Sequence, residues 1–172
     1  MAQARDSDAF LVGRTTFEEM RSYWPQQLQD ATGVTDHLNR VAKYVVSTTL
    51  EDPKWDGTTI LRGPLDDEAR AMKGTEGSDI VVTGSILLCH ALIDADLVDE
   101  YRLFTYPHVE GRGRRLFKNH TTVPALRNLS TFLGQFVSWI IESVSLGRLI
   151  QVVPGSGGGS GCLRTKRSGW AV

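Results

Sequence analysis

The chain has 172 residues, of which 41% are hydrophobic and 23% are charged, with a net charge of -1 at pH 7. These values predict a globular domain and give no reason to expect nucleic acid or an anionic membrane as a partner. No apolar run approaches the roughly 18 residues of a membrane helix, and the two cysteines show no disulfide or metal-binding spacing, so we expect a cytoplasmic protein.

The first predicted strand runs directly into a helix. The apolar run AFLVG, residues 9–13, ends in glycine and predicts a buried strand. The following TTFEEMRSYW has the apolar spacing of an amphipathic helix. Thr15 with Glu18, and Thr16 with Glu19, fit the capping-box pattern. We therefore expect a threonine side chain to cap the start of this helix.

Strands and helices continue to alternate along the chain. We predict a short helix or loop at 32–42, strands at 43–48 and 58–63, a helix from 64, a strand at 79–85, a helix from 86, a strand at 100–109 and a hairpin of 125–132 with 136–144. Strands that alternate with helices predict an α/β sheet covered by helices.

Several chemically active side chains have simple structural explanations. Cys89 lies in the apolar segment ILLCHAL, which predicts a buried thiol. The acidic residues between 94 and 100 are expected to be the solvated end of a helix. The arginine-rich loop at 110–117 fits either a clamp for a substrate phosphate or a solvated surface. None of the four histidines has metal-ligand spacing, so no metal site is predicted.

The C-terminal segment differs in composition from the rest. Residues 154–172 are rich in glycine and contain three basic residues and no acidic one. Such a segment cannot bury enough apolar surface to offset its ordering entropy. We predict a domain at 1–153 and a disordered basic tail at 154–172, which either has no function or touches nucleic acid or an acidic partner.

Two strand-to-helix junctions are candidate anion sites. The first has Gly13 and Arg14 at the end of its strand, and the second has Gly84 and Ser85. Glycine lets a ligand approach the backbone, and helix N-termini present unpaired N–H groups to phosphates. Helix capping alone explains either junction equally well. Neither junction fits the G-x-G-x-x-G or Walker patterns.

The strand at 43–48 ends in the hydroxyl residues Ser47 and Thr48. Hydroxyls at this position bind a sugar or phosphate, or they simply begin a turn. Ser85 lacks the G-x-S-x-G surroundings of a nucleophile, so it is not expected to attack a substrate.

Three segments, taken in order, resemble one family. DAFLVGRTTFEEMRSYWP, KYVVSTTLEDPKWDGTTILRG and DIVVTGSILLCHALIDADLVDEYRLFTYPHVEGRGRRLF are similar to the C-terminal reductase domain of bacterial bifunctional deaminase-reductases, the RibD C-terminal family. The resemblance covers about residues 8–132. It implies a dihydrofolate reductase-like fold, with a mixed, mostly parallel sheet flanked by helices and a C-terminal hairpin.

The resemblance also implies NADPH as cofactor and hydride transfer to a heterocyclic or carbonyl substrate. In riboflavin biosynthesis the related domain reduces a phosphoribosylamino-uracil. The matching positions are Gly13, Arg14, Thr15 and Thr16 for the cofactor phosphates, Ser47 and Thr48 for the adenosine 2′-phosphate, and Gly84 and Ser85 for the pyrophosphate and nicotinamide side. The resemblance assigns no catalytic proton donor to this sequence.

Both ends depart from the family pattern. Family members usually begin with another strand, inside the sheet, and an S-L-D-G-like loop that borders the substrate, whereas this chain opens almost directly at the strand before GRTTF. After ALRNLSTF, we expect FVSWIIESV to supply the last strand. A second hypothesis is therefore a catalytically impaired module that binds cofactor or associates through unpaired strand edges. The expected partners are a small-molecule substrate and a second copy of the chain.

Overall fold

The first strand contributes to two separate cores because its side chains alternate between the two faces of the sheet. In the computed structural model, Ala9 and Leu11 belong to one buried cluster and Phe10 and Val12 to another. Helices cover both faces. The structure describes residues 7–27, 29–105, 112–118, 126–133, 137–143, 152–154 and 161–166.

The elements follow the predicted alternation closely. They are β1 (Ser7–Gly13), α1 (Arg14–Tyr23), a 3₁₀ turn (Trp24–Gln26), α2 (Val34–Arg40), β2 (Ala42–Val46), β3 (Thr58–Leu61), α3 (Leu65–Gly74), β4 (Asp79–Thr83), α4 (Ile86–Asp94), β5 (Glu100–Thr105), β6 (Leu126–Leu133), β7 (Val137–Ser143), β8 (Val152–Pro154) and β9 (Gly161–Lys166). Each predicted strand, helix and hairpin is present in the described residues, and residues 106–109 of the strand predicted at 100–109 lie outside them.

The nine strands form one mixed sheet in the order β3-β2-β1-β4-β9-β5-β7-β6, and β8 pairs with β9. The pairs β1–β2, β1–β4 and β2–β3 are parallel. The pairs that involve β9 or β7 are antiparallel. This architecture confirms the predicted α/β class and places the carboxyl ends of β1, β2, β3 and β4 at a common edge.

Each face of the sheet has its own helices. Residues of α1 and α2, including Phe17 and Leu38, pack against β1 and β2 on one face. Residues of α3 and α4, including Met72 and Leu92, pack on the other. Cys89 of α4 is fully buried, as predicted, and burial raises the pKa of its thiol to about 12.

The strand β9 lies within the segment for which composition predicts disorder. Gly161–Lys166 pairs antiparallel with β4 on one side and with β5 on the other. The prediction of a wholly disordered tail from residue 154 is therefore wrong for these residues. Because buried strands need partners for their backbone groups, the pairing that β4 and β5 require outweighs the composition of the segment.

The acidic residues at the start of β5 also differ from expectation. Asp99 and Glu100 are buried, with only 3% and 5% of their surface exposed, rather than solvated. Lys73 Nζ lies 2.6 Å from Asp99 Oδ2, and the Glu100 carboxylate accepts hydrogen bonds from Arg102. Cations from α3 and from β5 itself make this burial possible.

Candidate functional site

The two glycine junctions of the sequence meet in space. β1 and β4 are parallel neighbours, so the turns that follow them lie side by side. The Gly13 N–H donates a 2.8 Å hydrogen bond to Ser85 Oγ. The Ser85 hydroxyl in turn donates to Thr16 Oγ1 over 2.9 Å. One serine hydroxyl thus joins the start of α4 to the start of α1.

Both the backbone conformation and the close packing at position 84 require glycine there. Its φ is +74°, in the left-handed region that glycine adopts without steric penalty. A Cβ at this position would lie 2.7 Å from Thr16 Cγ2. Gly13 is also close packed, since a Cβ there would lie 3.3 Å from Ser85 Oγ. The backbone therefore approaches α1 at a distance that no other residue type permits at position 84.

Both helices at these junctions begin without a side-chain cap. Helix α1 starts at Arg14 with Gly13 as its N-cap, and α4 starts after Ser85. The predicted capping box of Thr15 with Glu18 is wrong, because Thr15 and Thr16 already lie inside the first helical turn. Neither N-cap side chain occupies the first N–H groups, and the partial positive charge of both helix ends remains directed to this edge.

Arg14 places a guanidinium at the first position of α1. Half of its side chain is exposed, and it faces Glu18 one turn along the helix over 3.5 Å. An exposed pair of this kind contributes little to stability. The arginine can leave Glu18 for a stronger anion at little cost, which fits the role that the resemblance implies. Thr15 beside it is exposed.

The strand-end hydroxyls divide into two roles. Register places Gly13 opposite Val46, so Ser47 and Thr48 follow immediately beyond the partner of Gly13. The Ser47 hydroxyl is buried and accepts hydrogen bonds from the backbone N–H groups of Thr49 and Leu50, at 3.2 and 3.0 Å. It holds a turn, as the simpler interpretation has it. Thr48 is exposed at the same edge.

Arg62 is a residue of this edge that the sequence interpretation missed. It follows β3 and donates to the carbonyl oxygens of Thr48 at 2.9 Å and Leu50 at 2.6 Å. Its position directly after a strand of the parallel part of the sheet is the signal that could have identified it. Arg62 adds a second exposed guanidinium to the edge and braces the turn that carries Thr48.

We use the term carboxyl edge for the residues at the ends of the four parallel strands: Gly13–Thr16, Ser47, Thr48, Arg62, Gly84 and Ser85. It offers backbone N–H groups, hydroxyls and two guanidinium groups, which is the chemistry of an anion site. Five side chains in the described part of the chain have shifted pKa values and lie outside the carboxyl edge. They are Asp30, His37, Lys43, Cys89 and Tyr101.

Other candidates do not join this edge. Among the described residues, no three His, Cys, Asp or Glu side chains are grouped to hold a metal ion. The arginines 112, 114 and 115 are exposed, which agrees with a solvated loop. His90 makes a structural contact, with Nε2 2.8 Å from the Arg115 carbonyl oxygen.

Among the residues that the structure describes, no helix has the length and apolar character needed to cross a membrane.

The chain is similar to known proteins in sequence and in fold. The family model described as the RibD C-terminal domain matches residues 1–133. The chain is 30% identical over 112 residues to "Uncharacterized protein YyaP" of Bacillus subtilis (strain 168), covering 64% of this chain and 59% of that protein's length. A crystal structure from Shewanella sp. PV-4, of a protein provisionally named for riboflavin biosynthesis, superposes with a TM-score of 0.63 at 17% identity, covering 84% of this chain and 78% of the other.

Proposed function

The chain belongs to the RibD C-terminal domain family, and from that premise we propose that it is an NADPH-dependent reductase domain. Its reaction is hydride transfer to a heterocyclic or carbonyl substrate, related to the 5-amino-6-(5-phosphoribosylamino)uracil reductase reaction of riboflavin biosynthesis. One observation carries the proposal: the hydrogen-bonded chain from Gly13 through Ser85 to Thr16, which joins two uncapped helix N-termini.

The carboxyl edge fits the charged part of a phosphorylated dinucleotide. The uncapped N–H groups of α1 and α4 can bind a pyrophosphate, and the absence of a side chain at Gly84 lets it approach the backbone. Arg14 lies beside them for a phosphate oxygen. Thr48 and Arg62, which follow the neighbouring strands, suit the adenosine 2′-phosphate that distinguishes NADPH from NADH. When bound, NADPH supplies the hydride, and the protein orients it and excludes water.

Ser85 has a positioning role in this proposal. Its hydroxyl accepts from the Gly13 N–H and donates to Thr16, so both of its hydrogen-bonding directions are used within the protein. It therefore fixes the distance between the two turns and leaves the phosphates to the backbone N–H groups. A small-molecule substrate would approach from the same side of the sheet.

Arg14→Ala is expected to weaken NADPH binding. Loss of one charge-assisted contact costs about 1.5–3 kcal/mol, which corresponds to a roughly 10- to 150-fold higher Kd by isothermal titration. Arg40→Ala is the matched control, because Arg40 is also exposed but ends α2, before β2 begins, at the opposite edge of the sheet. Equal NADPH affinity of the two variants would show that Arg14 does not contact the cofactor.

A module that binds cofactor or associates without catalysis is the second candidate. The observation that favours it is chemical: the carboxyl edge, as defined above, holds hydroxyl and guanidinium side chains but no carboxylic acid, imidazole or thiol that could donate a proton to a substrate. NADPH that binds but is not oxidised in the presence of pyrimidine or carbonyl compounds would favour this candidate over the reductase.

A further inference from the structure

The strand β9 occupies a seam between two otherwise separate pieces of the described sheet. β4 and β5 each pair with β9 and not with one another. Without β9, the sheet would consist of β3-β2-β1-β4 and β5-β7-β6. Each piece would then end in a strand with unpaired backbone N–H and C=O groups, and such edges accept strands from other chains.

The register of β9 places basic positions opposite acidic positions of both neighbouring strands. Lys166 lies opposite Asp79 of β4, and Arg164 lies opposite Glu100 of β5. Both acidic residues are 95% buried. A shift of one residue would move both basic positions away from their acidic partners, so the pairing specifies this sequence rather than any extended peptide.

The position of β9 in the chain makes it exchangeable. It is the last described element, and residues 155–160, which precede it, are only glycine and serine. The pairing of β9 outside the seam is with the three-residue strand β8, and β8 can form the same pairs with the β9 strand of another copy. Every copy of the protein also presents the same seam, so the same pairs form whether the strand comes from its own chain or from another.

We propose that the seam between β4 and β5 is a strand-accepting site that takes Gly161–Lys166 from a second copy of the chain. The exchange is reciprocal, so each copy of the dimer fills the seam of the other. A tethered strand competes at an effective concentration in the millimolar range, and the exchanged dimer therefore grows with protein concentration during folding. This inference does not depend on the cofactor.

A single cysteine substitution traps the strand in place. Cys162 lies directly opposite Thr83 of β4, and Cα atoms at opposite antiparallel positions are about 4.5–5.5 Å apart, within the range of a disulfide. The full-length Thr83→Cys variant is unfolded under reducing conditions, refolded over a series of protein concentrations and then oxidised. Cys89 stays out of the reaction, because burial raises its pKa to about 12.

We expect a disulfide-linked dimer on non-reducing gels, with the bond mapped by mass spectrometry to positions 83 and 162 of different chains. Its share should rise with protein concentration and fall when Arg164→Glu and Lys166→Glu are added. Leu87→Cys is the control for random collisions, since it adds an equally available thiol at a position that is 74% exposed. The proposal is overturned if the 83–162 bond forms only within single chains or not at all, or if dimers are no more frequent than in the control.

Discussion

Gly84→Ala is expected to destabilise the fold by about 2–5 kcal/mol and to abolish measurable NADPH binding. A residue with a Cβ costs about 1–2 kcal/mol in the left-handed region, and the φ of Gly84 is +74°. The new methyl would also lie 2.7 Å from Thr16 Cγ2, an overlap that costs about 1–3 kcal/mol. Relief of this contact moves Thr16 away from Ser85 and separates the two turns.

Denaturant unfolding and isothermal titration measure the two effects. Gly74→Ala is the matched control, because a Cβ there meets no atom within 4 Å. The double variant Gly84→Ala with Thr16→Ser removes Cγ2 but keeps the hydroxyl that Ser85 contacts, so it should recover the steric part of the loss and not the conformational part. A Gly84→Ala protein as stable as the native chain would contradict this description of the junction.

Lys73→Met is expected to cost about 3–5 kcal/mol of unfolding free energy. The variant removes the ammonium from a buried pair whose side chains are only 5% and 4% exposed. It also removes the donor to the Leu97 carbonyl oxygen, 3.0 Å away. Loss of one member of a buried pair is strongly destabilising because the remaining charge stays out of water.

An exposed pair gives the comparison for this variant. Lys118 contacts Asp94 at 2.5 Å, but their side chains are 45% and 49% exposed, so Lys118→Met should change stability by less than about 1 kcal/mol. Adding Asp99→Asn to Lys73→Met should recover much of the lost unfolding free energy, because it removes the negative charge of the buried carboxylate. If Lys73→Met and Lys118→Met have equal denaturant midpoints, the buried pair does not stabilise the fold.

Local patterns were sufficient for most of the fold. Short apolar runs that end in glycine or hydroxyl residues gave β1, β2 and β4, because a buried strand and its closing turn are encoded within a few residues. Pairing between distant segments was not encoded in this way. The place of β9 depends on β4 and β5, about 60 to 80 residues earlier, and the composition of its own segment pointed instead to disorder.

The same distinction explains the buried acidic residues. Asp99 and Glu100 look solvated in the sequence because they follow a helix that ends in acidic residues. Asp99 is buried because Lys73 of α3, 26 positions earlier, donates a hydrogen bond to its carboxylate. A partner of opposite charge at that separation cannot be predicted from the residues next to Asp99.

The site was predictable where it depends on turn chemistry. Gly13 and Gly84 were identified from the glycines at the strand ends, and the structure brings their turns into contact through Ser85. The capping prediction failed by one or two residues, since α1 begins immediately after Gly13. Arg62 was missed because its role depends on the alignment of β3 with β2 rather than on any motif.

Isothermal titration of the full-length native chain with NADPH and with NADH tests the central claim most directly. If the two glycine turns form one phosphate site, NADPH should bind saturably. It should also bind more tightly than NADH, because the proposal assigns Thr48 and Arg62 to the 2′-phosphate that NADH lacks. Absence of binding by either nucleotide at millimolar concentration, in a sample shown to be folded by circular dichroism, would contradict the claim.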